Sequence, residues 1–136
     1  MKTASFFTCR APGRIVVSLG VPKGFEELPV YRALAPSRAL LALDLTDADV
    51  YEKAYRRQLD ALNPNQVLAD LSRMAGGHEP VLCCWERPPW TDTNWCHRRM
   101  IATWLERHLP IAVPEFEPEP RPVPPVRQLS LFGASK

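Results

Sequence analysis

The chain has 136 residues, 46% of them hydrophobic and 24% charged, with a formal net charge of +2, which fits one small globular domain with tails. That charge excludes a nucleic-acid footprint argued from charge alone, because phosphate binding needs a clustered basic surface. No run of about 18 apolar residues occurs, so no membrane-spanning helix is expected.

Arg14–Leu19 is a β-branched run between Gly13 and Gly20 and predicts a buried strand. Val21–Arg38 carries Pro22, Gly24, Pro29 and Pro36 and is expected to be irregular. Its Arg32 and Arg38 are candidate anion contacts. Ala39–Leu43 is short and apolar and fits either a helical turn or a strand. A helix is expected from Asp47 to Leu62, capped by Asp47, with Val50, Ala54, Leu59 and Leu62 facing inward. Asn63–Pro64 restarts the chain as a second helix, carrying Val67, Leu68, Leu71 and Met74 and stopping at Gly76–Gly77.

Pro80–Trp85 is apolar throughout and predicts a second strand, central in a parallel sheet. A loop with Pro88 and Pro89 follows. A third helix is expected from Trp95 to His108, burying Met100, Ile101, Trp104 and Leu105. The alternation predicts an α/β fold, a small three-layer-like sandwich with a mostly parallel sheet.

In such sheets ligands sit beyond the carboxyl ends of strands, where helix N-termini point. Cys84, Trp85 and Glu86 occupy that place on one side of the loop, and Cys96, His97 and Arg98 on the other. The helix end favours an anion, and Arg98 adds a bidentate fork for phosphate or carboxylate. Three chemistries fit. Glu86 can serve as general base with His97 assisting; Cys96 can act as nucleophile, biased toward thiolate by the helix end; or Cys84, Glu86, Cys96 and His97 can hold zinc. The zinc reading is the weakest of the three, since the spacing lacks the paired knuckles of structural sites. The expectation is therefore no metal and no cofactor. A purely architectural reading makes the cysteines small core residues and Glu86–Arg98 an ion pair closing the loop. Four cysteines without an apolar leader in Met1–Cys9 fit reduced thiols and a cytoplasmic location.

Val81–Glu86 followed by Cys96–His97–Arg98–Arg99 resembles the C-terminal signature of the domain of unknown function 488 family. There an apolar strand ends in Cys-aromatic-Glu, and a Cys-His-Arg triplet opens a helix. The resemblance covers residues 9–108 and implies that Cys84, Glu86, Cys96, His97 and Arg98 form the site. It supplies no reaction.

From Pro110 the pattern changes, with six prolines between Pro114 and Pro125. Residues 1–110 therefore read as the α/β domain, 111–127 as an extended Pro-rich linker and 128–136 as a tail. Gln128–Leu129–Ser130–Leu131–Phe132 resembles the pentapeptide by which bacterial polymerases and repair proteins bind the DNA sliding clamp. Leu131 and Phe132 would fill an apolar pocket, Leu129 would add contact, and Gln128 would give a directed hydrogen bond. The partners expected are the clamp and DNA or a nucleotide, which Trp85, Trp90 and Trp95 could stack upon. Tethering would spare the body a basic patch.

Overall fold

The structure, a computed structural model, describes residues 1–43, 47–91 and 94–118. Strands β1 (Lys2–Ser5), β2 (Arg14–Val16) and β3 (Val81–Cys84) form a parallel sheet in the order β1-β3-β2. Among the described residues four α-helices accompany it: α1 (Arg38–Leu41), α2 (Ala48–Asp60), α3 (Pro64–Met74) and α4 (His97–His108). The fold is α/β with an open, all-parallel sheet. β3 is central and buried along its whole length, as its unbroken apolar run requires.

Side chains alternate across β3 and sort the core into two layers. Leu82 points with Ile15 and Val17 into a cluster with Tyr55, Leu71, Ile101 and Leu105, so all four helices lie on this face. Val81 and Cys83 point the other way, with Ala4 and Val16, against Phe6, Cys9 and Phe25 from irregular chain. The third layer of the sandwich is thus loop rather than helix.

The helix boundaries follow local chemistry. Asp47 Oδ1 accepts from the Asp49 and Val50 amides at 3.0 and 3.3 Å, and Asn63 Oδ1 accepts from those of Asn65 and Gln66 at 3.0 and 3.2 Å. Pro64 opens α3, and Gly76 and Gly77 leave it with φ of 63° and 88°, a region that suits glycine. Gly13 is required for a different reason: a Cβ there would lie 2.0 Å from the Glu79 carbonyl oxygen.

Two expectations change, and one strand is new. The inward face of α2 is carried by Tyr51, Tyr55 and Leu59, while Val50 is 48% exposed. Tyrosine rings bury more area than valine, and the Tyr55 hydroxyl finds the Leu34 carbonyl, so its polar tip is satisfied inside. β1 has no apolar run, yet Thr3, Ala4 and Ser5 are all buried. Here the polar side chains are bonded instead: Thr3 Oγ1 donates to Glu115 Oε2 at 2.5 Å, and Ser5 Oγ to the Trp85 carbonyl at 3.2 Å. Finally, the start of the Pro-rich segment is fastened to the body. Thr3 bridges Glu115 in parallel, flanked by bonds to the Pro114 carbonyl (3.0 Å) and from the Phe116 amide (2.7 Å), and Val113 is in the core.

Candidate functional site

The β3 strand ends at Cys84, and the chain returns through a proline-containing loop to α4, whose N-cap is Cys96. This crossing brings both cysteines, His97 and Glu86 to the carboxyl edge of the sheet. A cavity of about 380 Å³ opens there, lined by these four together with Ser18, Gly20, Tyr51, Trp85 and Trp95 among others. The Asn94 side-chain amide pins the loop, donating to the Arg87 and Pro89 carbonyls at 2.6 and 2.8 Å.

His97 is the centre of the cluster. Its Nε2 lies 2.7 Å from the Val17 carbonyl oxygen, which can only accept, so Nε2 carries a hydrogen. In the neutral ring Nδ1 is then the free acceptor. It faces Cys84 Sγ at 3.6 Å and Cys96 Sγ at 3.8 Å. Tyr55 packs edge-on against the imidazole with centroids 5.6 Å apart. Cys84 also donates to Glu86 Oε2 at 3.4 Å.

The two thiols titrate in opposite directions. Cys84 is pushed up by its hydrogen bond to Cys96 and by burial. Burial opposes ionisation of Cys96 too, but the hydrogen bond from Cys84 and the nearness of His97 and Arg98 outweigh it, and the thiol is lowered. Of the two thiols, Cys96, at the helix N-cap, is the one favoured as thiolate. Glu86 is raised by burial and by the charge on Cys96. Tyr51, whose ring packs on Trp95 at 4.7 Å, is pushed well up, first by burial and then by Cys96.

Of the other predicted site residues that are described, Trp85 lines the cavity and the three arginines do not. Arg98 is fully buried and does not line the cavity; its Nη2 lies 2.6 Å from Glu115 Oε1, and its guanidinium stands 4.8 Å over the Trp90 ring. Its ion pair is with Glu115 rather than Glu86. Arg32 and Arg38 are exposed and also outside the cavity lining. Trp85 sits at the rim, 43% exposed, with Nε1 donating to the Gly20 carbonyl at 3.1 Å. Gln128–Phe132 lies outside the described residues.

Residues 8–109 match the family model DUF488-N3a, described as the active DUF488-N3 subclade. The chain belongs to the DUF488 family. A search of curated proteins and one of solved structures found no match. The matched span contains the whole Cys84–Arg98 corner of this DUF488 domain, whereas β1 and Glu115 fall outside it. Sequence reasoning missed Tyr51, Asn94 and the Val17 carbonyl. Tyr51 had a signal, a large aromatic beside the expected helix stripe; a backbone carbonyl has none.

Proposed function

We propose that this DUF488 protein is an enzyme of DNA repair, replication or modification, held at the bacterial sliding clamp by Gln128–Phe132. Its substrate is a nucleotide or base of DNA, and its chemistry is hydrolytic or nucleophilic. The observation that carries the catalytic half is the convergence of Cys84, Glu86, Cys96 and His97 on one cavity from two separate elements. A core filled merely by small cysteines has no use for a carboxyl and an imidazole aimed at the same sulfur. Glu86 moves the proton, His97 is held in one tautomer by Val17, and Cys96 supplies negative charge at the helix end. The subclade's description as active agrees with this reading. The clamp half rests on the pentapeptide and its spacer in the sequence.

The test joins both halves. Purified clamp should bind the intact chain and fail to bind a variant with Leu131→Ala and Phe132→Ala. Glu86→Gln should keep clamp binding and lose turnover of DNA substrates. Failure of the intact chain to bind would remove the clamp from the proposal. Undiminished turnover in the Glu86 variant would remove the site.

A further inference from the structure

We infer that Cys84, Cys96 and His97 form a three-ligand zinc site whose fourth position opens onto the cavity. This deepens the reading of the pocket given above and rests on it for any catalytic use. The donor atoms Cys84 Sγ, Cys96 Sγ and His97 Nδ1 all lie within 4.8 Å of one another. In tetrahedral zinc, bonds of about 2.3 Å to sulfur and 2.0–2.1 Å to nitrogen set S–N edges of roughly 3.6 Å and an S–S edge of roughly 3.8 Å. The observed S–N separations are 3.6 and 3.8 Å. A zinc ion therefore needs little movement of the imidazole against either sulfur.

The surroundings also suit a metal. A zinc-bound histidine ordinarily gives its other N–H to a carbonyl or carboxylate, which fixes the ring and aims the ligating nitrogen. His97 does this through Val17 at 2.7 Å. All three ligands are buried, and they stand on the end of β3 and the start of α4 rather than on the loop between them. Two thiolates and an imidazole select a borderline-soft ion such as zinc over magnesium or calcium. The lack of short knuckle spacings argues only against a closed structural site. Catalytic zinc sites use three protein ligands and leave one position to water or substrate. Glu86, touching Cys84 Sγ at 3.4 Å and lining the same cavity, stands where it can take a proton from a water held there.

The test uses the full chain, reduced and freed of metal, titrated with zinc alone and then with cobalt(II) as a spectroscopic probe. Equimolar zinc should bind, and cobalt should give a thiolate charge-transfer band with the strong visible bands of a tetrahedral site. Cys84→Ser and Cys96→Ser should each abolish that signal, while Cys83→Ser and Glu86→Gln should keep it. The wild-type spectrum stands whether or not a variant folds, and circular dichroism checks each variant. Absence of binding by the wild-type chain overturns the inference, as does binding unchanged in both ligand variants. Loss of binding in Glu86→Gln overturns the open fourth position. None of these readouts involves DNA or clamp, so the proposed function stands or falls separately.

Discussion

Arg98 and Glu115 clasp each other beneath α4, the guanidinium fully buried and its Nε and Nη2 both directed at the carboxylate, at distances from 2.6 to 3.2 Å. Thr3 Oγ1 donates to the same carboxylate at 2.5 Å, and Arg99 Nη1 reaches Thr3 Oγ1 and the Val113 carbonyl at 2.8 Å each. The start of the site helix, the edge strand β1 and the segment after α4 are thereby one polar network.

Removing Glu115 leaves a buried charge without its partner, a loss of about 3–5 kcal/mol for such pairs. Glu115→Ala should therefore lower the denaturant midpoint strongly with the slope unchanged. A chain ended after Pro110 removes Val113 as well and should be less stable still. Equal stability of wild type and Glu115→Ala in urea titrations would show that the pair carries no net weight.

The face of α2 gives a second prediction. Val50→Ala, at an exposed position, should change stability by no more than about 0.5 kcal/mol. Leu59→Ala empties a fully packed site and should cost about 2–5 kcal/mol. Tyr55→Phe keeps the ring but strands the Leu34 carbonyl, a penalty of about 1–3 kcal/mol. Thermal unfolding of the three variants checks the order.

These residues also show what the sequence makes legible. Asp47, Asn63–Pro64 and Gly76–Gly77 act within one helical turn, so their roles can be read without knowing the fold. The pairing of Cys84–Glu86 with Cys96–His97 was legible because a strand end and a helix start joined by one loop must lie close. β1 was not, since Thr3 and Ser5 are buried through hydrogen bonds rather than apolar surface. Glu115 hid inside a proline-rich stretch, and its partner Arg98 read as an anion-binding group because nothing local distinguishes a buried arginine from an exposed one. The inward stripe of α2 is rotated from Val50 and Ala54 to Tyr51 and Tyr55 because the tyrosine rings bury more area than valine or alanine.

The Tyr31–Asp70 contact predicts a pH dependence. Tyr31 Oη donates to Asp70 Oδ2 at 2.8 Å, and this bond, then one from Gln66, holds the Asp70 carboxyl below its ordinary value. A lowered carboxyl contributes stability above its unfolded pKa and loses it as pH falls through the folded one. Tyr31 is pushed up to about 12, first by burial and then by Asp70. That contribution is intact below the unfolded value of about 10 and is lost as pH rises through about 12. Tyr31→Phe should thus be less stable than wild type between these limits, with the two curves converging in acid and in strong alkali. Parallel curves across the whole range would assign the difference to packing alone.

The loop that closes the cavity depends on Asn94. Its amide nitrogen spans from Arg87 to Pro89, and its own N–H is bonded to Thr91 Oγ1 at 3.0 Å. These bonds are exposed and join the loop to itself, so they add little to global stability, yet they tie Asn94 to the chain from Arg87 to Thr91. Asn94→Ala should leave the unfolding midpoint nearly unchanged while amide exchange between Arg87 and Trp95 accelerates, because local opening no longer breaks those bonds. The proposed turnover should fall with it, since Glu86 and Trp95 line the cavity from the two ends of this loop. Unaltered exchange in the variant would mean that the loop is held by its prolines and by the Trp95–Tyr51 contact, with Asn94 incidental.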